Sequence, residues 1–221
     1  MNKFMAFWRS SVGKKIIMGL SGLFLCTFLV VHCGINLLLF KSDGGQLYNE
    51  VSEFMSSNII IRTVEIVLFV GIVAHLFSGV VVWIKNWMSR PVRYSVYRLK
   101  DNAPLSSRRP MLTASASLVG FFLVIHLQTF WIPNRFWAKP PESNYDLVAA
   151  AFSDPVYGIF YIVALLFLAF HLKHGFQSGF QTLGLSTSKY KWLIDAVAVI
   201  FWLIIPLAFA AMPAYFLWLK S

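Results

Sequence analysis

The sequence predicts an all-α protein, a single bundle of five transmembrane helices that occupies the whole chain, residues 1–221. Of these residues, 58% are hydrophobic and only 13% are charged, which lies outside the range of soluble globular domains. The apolar residues form five long runs, and each could cross the roughly 30 Å hydrocarbon core of a bilayer as a helix. The charged residues lie mainly between these runs.

The five predicted spans follow one another along the chain. They cover about residues 15–40, 59–85, 110–132, 155–181 and 191–219. The first run follows a basic segment, as the apolar part of a secretory signal does. It continues from Ile16 to Phe40 without a convincing small-residue cleavage site, so we expect it to be retained as the first span. No internal repeat, low-complexity tract or soluble domain accompanies the five runs.

The net charge of +10 is explained by membrane topology rather than by nucleic-acid binding. The basic residues are concentrated in three segments: Lys3, Arg9, Lys14 and Lys15 at the N-terminus; Lys85, Arg90, Arg93, Arg98, Lys100, Arg108 and Arg109 between spans two and three; and Lys189 and Lys191 after span four. If all five spans cross, these segments share one side. The positive-inside rule assigns that side to the cytoplasm, with the N-terminus. The loops 41–58 and 133–154 then face outward.

Four of the five histidines lie in the first four spans, one in each. An ionisable side chain inside an apolar membrane span is costly unless it has a function. With a rise of 1.5 Å per residue from the cytoplasmic edge, His32 and His126 lie roughly 26 Å and 24 Å deep. Spans two and four run in the opposite direction to spans one and three, and counting back from their cytoplasmic ends puts His75 and His171 both roughly 15 Å deep. The four histidines therefore form two pairs at two levels.

Two histidines at one depth on different helices can bind one iron from opposite faces of a haem. We therefore predict that the bundle holds two stacked b haems, about 10 Å apart along the membrane normal. Cys26 and Cys33 are not part of a Cys-x-x-Cys-His motif, so covalent c-type attachment is excluded. The alternative for any single histidine is packing or an interhelical hydrogen bond, and the matched depths favour ligation for the set.

Several glycines share helix faces with these histidines, as the edge of a porphyrin would require. Gly71 and Gly79 lie four residues before and after His75, Gly175 lies four residues after His171, and Gly22 and Gly34 flank His32. Glycine is also common in membrane helices for packing alone.

The stretch Phe170-His171-Leu172-Lys173-His174-Gly175 carries a second histidine on the face of His171. Such pairs also occur in di-iron bundles, but these require inward carboxylates. Glu65 is the only acid well inside the first four spans, so a di-iron site is not expected. We predict that Lys173, His174 and Gln177 form a polar rim near the inner surface for a haem propionate or a quinone head group. The alternative is a snorkelling Lys173 and a solvated His174.

These features resemble the di-haem cytochrome b membrane anchors of succinate:quinone oxidoreductases, the five-helix, single-subunit type of bacterial succinate dehydrogenases and fumarate reductases. The resemblance rests on one histidine in each of the first four spans and none in the fifth, and on the short motifs Phe170-His171-x-x-x-Gly175 and Gly45-x-x-x-Asn49. It implies that His32 and His126 bind the haem distal to the catalytic subunits. It likewise implies that His75 and His171 bind the proximal haem, the same pairing that the depths give.

The resemblance further implies a protein of the bacterial cytoplasmic membrane, with an iron-sulfur subunit and a flavoprotein subunit on its cytoplasmic face and menaquinone or ubiquinone in the membrane. The chain has no flavin, cysteine-cluster or dicarboxylate motif, so dicarboxylate chemistry would belong to the partners. The role left to this chain is electron transfer and quinone chemistry. Some members carry a glutamate two residues before the fourth histidine as a proton route. Here that position is Ala169, so we do not expect this route.

A quinone site near the outer haem needs a group that accepts or donates a proton. Glu50 and Glu53 lie in the outer loop after span one, where the resemblance locates the quinol-site acid, and Glu65 lies deeper in span two. These three acids are the candidates. Arg62 precedes Glu65 and could pair with it instead, which would make both residues structural.

Two other functions fit the same pattern. One is the di-haem cytochrome b subunit of another quinone-linked respiratory complex, of the formate dehydrogenase or hydrogenase type. The other is a transporter or structural membrane protein without haem, whose histidines bind substrate or protons.

Overall fold

The computed structural model describes residues 10–89, 109–136 and 143–219, and these residues form helices and no strands. The helices are α1 (Ser11–Asn36), α2 (Gln46–Ser57), α3 (Ile59–Met88), α4 (Arg109–His126), α5 (Ile132–Phe136), α6 (Asn144–Ser153), α7 (Pro155–Thr182), α8 (Lys191–Val199) and α9 (Ile205–Trp218). A 3-10 turn, Leu37–Phe40, extends α1, and the π turns Leu127–Trp131 and Ile200–Ile204 join α4 to α5 and α8 to α9.

The predicted all-α architecture is confirmed. Five helices are long and apolar enough to cross a membrane: Val12–Phe40, Ile59–Lys85, Met111–Phe136, Pro155–Thr182 and Lys191–Trp218. The third of these runs to Phe136, four residues beyond the predicted end at 132. Most of the basic residues behind the predicted sidedness, including Lys3, Arg9 and those at 90–108, lie outside the described residues, so the cytoplasmic assignment stays a prediction.

Helix α7 is at the centre of the bundle and packs against α1, α4, α8 and α9, whereas α3 packs mainly on α1. Two buried clusters form the core. We name them, and the two ends of the bundle, outer and inner after the predicted sidedness. The outer cluster contains Leu39, Tyr48, Tyr145, Val148, Phe152, Tyr161, Met212 and Phe216, and the inner cluster contains Cys26, Leu172, Phe176, Ile194 and Ala198. The outer cluster is closed by two short helices, α2 and α6, which the hydropathy pattern does not predict.

The motif Gly45-x-x-x-Asn49, at the start of α2, contacts the start of α6. Gly45 has a φ of 88°, a left-handed conformation that favours glycine, and the ring of Tyr145 fills the space that a Cβ would occupy. Asn49 Oδ1 accepts a hydrogen bond of 2.9 Å from the backbone N–H of Tyr145 at the start of α6. Gly45 and Asn49 therefore both have a structural role in closing the outer end of the bundle.

The two π turns precede prolines. Pro133 and Pro206 have no N–H, so each removes a helical hydrogen bond to a carbonyl one turn back. In the first turn, the N–H of Ile132 donates to the carbonyl of Leu127, five residues earlier. This wider turn follows His126 directly and changes the direction in which the next side chains project.

Candidate functional site

The outer histidine pair lies between α1 and the end of α4. The ring centroids of His32 and His126 are 5.7 Å apart, and their planes are perpendicular at 87°. Aromatic rings surround them: Phe28 stacks on His32 at 5.2 Å, and Phe130 lies 5.4 Å from His126. Both imidazoles therefore lie in an apolar shell within the bundle.

The inner pair lies between α3 and α7 and has almost the same geometry. The ring centroids of His75 and His171 are 6.1 Å apart, with their planes at 87°. The structure therefore brings together the same two pairs that equal depth along the helices predicts. No group of three or more His, Cys, Asp or Glu side chains suited to a metal ion occurs within residues 10–89, 109–136 and 143–219.

The spacing of the rings suits axial ligation of a haem. A metal–imidazole bond is about 2 Å long, so two imidazoles on opposite sides of one iron have centroids about 6 Å apart. The measured 5.7 Å and 6.1 Å are close to this value. Two protein ligands per iron are also the number that a six-coordinate haem requires.

The Nδ1 atoms of three of these histidines have neighbouring polar groups. His75 Nδ1 lies 3.2 Å from the carbonyl oxygen of Met18, and His126 Nδ1 lies 3.3 Å from the hydroxyl of Tyr161. His32 Nδ1 lies 3.4 Å from the side-chain amide of Asn36. The Met18 carbonyl can accept a hydrogen bond from Nδ1–H of His75, and the Tyr161 hydroxyl can accept one from Nδ1–H of His126. Nε2 of these two histidines is then the nitrogen that can bind a metal. The amide nitrogen of Asn36 is a donor and does not have this role for His32.

The helices that carry each pair leave room for a planar group. The backbones of α1 and α4 do not pack closely against each other, and neither do those of α3 and α7. A Cβ added to Gly79 or Gly175, one turn from the inner histidines, would meet no heavy atom within 4 Å. The donor set and the surrounding space therefore fit two haems, each held by two histidines.

The other glycines differ in role. A Cβ on Gly22 would approach His75 Cε1 to 3.0 Å, so Gly22 gives the inner histidine its space. Gly71 packs against Phe24, whose ring a Cβ would approach to 2.9 Å. Gly34 is exposed with no atom near the position of a Cβ, as Gly175 is, but it lies only two residues from His32 and therefore on a different face of α1. It therefore does not line the outer pair.

The predicted inner rim has partners on the fifth span. The ammonium of Lys173 lies 4.3 Å from the ring centroid of Trp202. The amide of Gln177 donates a 2.9 Å hydrogen bond to Asp195, which also pairs with Lys191 at 2.6 Å. His174 is half-buried. Lys173 and Gln177 thus contact different residues of the fifth span. Among the described residues, no single group contacts Lys173, His174 and Gln177 together.

Among the three candidate acids, Glu65 lies in a groove and the other two lie on the exposed face of α2. One oxygen of Glu65 accepts a 2.6 Å hydrogen bond from Trp131 Nε1, and the other forms a 2.7 Å ion pair with Arg135. The ion pair of Glu65 is therefore with Arg135 rather than with Arg62. Glu50 is exposed and accepts a hydrogen bond from Gln46, and Glu53 is also exposed.

The groove has a volume of about 590 Å³, and its lining includes Arg62, Glu65, Phe69, Trp131, Arg135 and Phe136. Trp131 also borders a larger, mostly apolar cleft of about 800 Å³. Sequence reasoning missed Trp131 and Arg135 as partners of Glu65, because they are 66 and 70 positions away along the chain. The only signal was their place at the outer end of the third span.

A comparison with curated proteins gives one informative match. The chain is 28% identical over 182 residues to the succinate dehydrogenase cytochrome b558 subunit of Bacillus subtilis (strain 168), which covers 78% of this chain and 83% of that protein. No protein-family model matches the chain, and no solved structure matches it significantly. Over most of its length, the chain is therefore similar to the cytochrome b subunit of a succinate dehydrogenase.

Proposed function

We propose that this chain is the membrane anchor and electron-transfer subunit of a succinate:quinone oxidoreductase, either a succinate dehydrogenase or a quinol:fumarate reductase. The observation that carries the proposal is the convergence of four histidines from four spans into two pairs. Their ring centroids lie 5.7 Å and 6.1 Å apart. The similarity to the Bacillus subtilis cytochrome b558 subunit supports the same conclusion.

In this proposal His32 and His126 hold the outer, distal haem b, and His75 and His171 hold the inner, proximal haem b. Haem bound at these two sites would supply one-electron redox chemistry at two levels of the membrane. The residues around the sites hold the imidazoles in place. The Met18 carbonyl and the Tyr161 hydroxyl orient His75 and His126 through Nδ1, and the aromatic shell keeps water away from the outer pair.

We place the quinone at the groove around Glu65. Trp131 follows His126 by five residues, so the groove lies about 7 Å further along the helix axis than the outer pair. The carboxylate of Glu65 can exchange a proton with the head group of menaquinone or ubiquinone, while Trp131 and Arg135 hold it in position. The apolar cleft beyond Trp131 can take part of the isoprenoid tail.

Glu50 and Glu53 remain candidates for proton exchange between this region and the outer aqueous phase. Lys173, His174 and Gln177 are proposed to form the polar rim of the inner site, toward the cytoplasmic face. Basic residues at that face are consistent with a chain whose N-terminus is cytoplasmic in a bacterial cytoplasmic membrane. There it would bind an iron-sulfur subunit and a flavoprotein subunit, and the dicarboxylate chemistry would occur on these partners.

Purification of the tagged chain from its native membrane in mild detergent tests this function. We expect it to copurify with a flavoprotein and an iron-sulfur protein that together oxidise succinate and reduce a soluble quinone analogue. Copurification with a metal-containing formate or hydrogen enzyme would assign the chain to another respiratory complex. A colourless chain that purifies without redox partners would contradict both functions and favour a transporter or a structural membrane protein.

A further inference from the structure

The outer histidine pair is connected to two tyrosines of α7. Tyr161 Oη lies 3.3 Å from His126 Nδ1, and the hydroxyl of Tyr157, one turn nearer the outer end of α7, donates to Tyr161 at 3.0 Å. Tyr161 is only 4% exposed, so its hydroxyl has little access to water. The two phenols and the imidazole form a continuous hydrogen-bonded chain.

The surroundings of Tyr161 are aromatic and would accommodate phenylalanine equally well. Its ring lies 4.9 Å from that of Phe122, 5.0 Å from that of Phe152 and 4.8 Å from that of Tyr157. A buried hydroxyl in such a shell is costly unless it forms hydrogen bonds. The contacts with His126 and Tyr157 supply these bonds, so the hydroxyl has a reason to be there that packing does not give.

The inner pair has a different partner at the equivalent position. His75 Nδ1 lies 3.2 Å from the backbone carbonyl of Met18, which no side-chain substitution removes, and 3.4 Å from the hydroxyl of Ser21. At the outer pair, Nδ1 of His126 faces a phenol oxygen that accepts a hydrogen bond from Tyr157. The two sites share the same ring geometry but differ in the polar groups that face Nδ1 of the histidine.

We propose that Tyr161 is the positioning residue of the outer haem site. Its phenol oxygen accepts a hydrogen bond from Nδ1–H of His126, fixes the tautomer that leaves Nε2 for the iron, and lowers the reduction potential of the outer haem. This inference rests on the proposed function, because it assumes that haem binds between His32 and His126. An acceptor at Nδ1–H makes the imidazole a stronger electron donor, and a stronger donor stabilises the oxidised iron.

The test is a redox titration, followed by visible spectroscopy, of the purified complex with Tyr161→Phe. We expect the outer haem to become easier to reduce, with an increase of about fivefold in its reduced-to-oxidised ratio at a fixed potential, the effect of one hydrogen bond. This corresponds to an upward shift of about 40 mV for a one-electron couple. The inner haem should keep its potential. The component that is missing from His126→Ala identifies the outer haem.

Tyr157→Phe is the matched control. It also removes one phenol hydroxyl, but from a residue one turn away that does not contact His126 Nδ1. We expect it to cause less than half of the shift. An unchanged outer potential in Tyr161→Phe, an equal shift of both haems, or an equal shift in both variants would overturn the role of Tyr161. Absence of haem from the unmodified protein would instead refute the proposed function, so the two failures are distinguishable.

Discussion

Replacement of His171 by alanine is expected to remove the inner haem and to reduce the haem content of the purified complex to about half. Its ring is 6.1 Å from that of His75, and the described residues contain no group of three or more His, Cys, Asp or Glu side chains suited to a metal ion. The outer pair lies at a different level and should keep its haem. The measurement is a pyridine haemochrome assay, normalised to protein, together with the redox titration of the remaining component.

His174→Ala is the control for this result. His174 lies one turn along the same helix, is half-buried and has the same chemistry, but it belongs to neither of the two histidine pairs. We expect this variant to retain both haems. Full haem content in His171→Ala, or equal haem loss in the two variants, would contradict the assignment of His171 as a ligand.

Replacement of Glu65 by glutamine is expected to reduce quinone turnover by about a hundredfold or more, while both haems remain bound and the partner subunits still oxidise succinate with an artificial acceptor. Glutamine keeps an oxygen that can accept the hydrogen bond from Trp131. It cannot exchange a proton at neutral pH, and it loses the 2.7 Å ion pair with Arg135. The measurement is the ratio of quinone-linked to artificial-acceptor activity in one preparation.

Three control variants separate a proton-exchanging Glu65 from a purely structural one. Arg135→Gln breaks the same ion pair but leaves the carboxylate, so it should lose less quinone activity than Glu65→Gln. Glu50→Gln and Glu53→Gln change exposed acids outside the groove and should have a much smaller effect. If Glu65→Gln retained full quinone activity, or if Arg135→Gln were equally inactive, the proposed role of Glu65 would be wrong.

The fold class and the two histidine pairs could be predicted from the sequence because both depend on regular helix geometry. Apolar runs long enough for a bilayer define the spans, and a constant rise per residue then sets the relative depth of each histidine. His75 and His171 lie far apart along the chain, but equal depth on the second and fourth spans, which cross in the same direction, was enough to pair them.

The partners of the charged groups could not be predicted in the same way. Whether Glu65 pairs with Arg62 or with Arg135 depends on which helix faces α3 and on its rotation, and depth does not give either. The wider turn after His126 adds to this difficulty, because Pro133 signals an irregularity but does not give the new direction of Trp131. The link between Gln177 and Asp195 likewise depends on how the fourth and fifth spans pack.

The short outer helices α2 and α6 were missed for a related reason. Their polar faces resemble loops in a hydropathy profile, and their stability depends on distant contacts such as the one between Asn49 and Tyr145. Gly45 and Asn49 both contact Tyr145 and so have a structural role, although neither carries the chemistry proposed for this protein.

Haem binding by the two histidine pairs is tested most directly by a reduced-minus-oxidised visible spectrum of the purified protein, combined with a haem-to-chain ratio. If the two pairs each hold a haem through two imidazoles, the spectrum should be that of six-coordinate, low-spin b-type haem, with two haems per chain. A colourless preparation, or one haem per chain in a fully folded complex, would contradict the assignment of a haem to each pair.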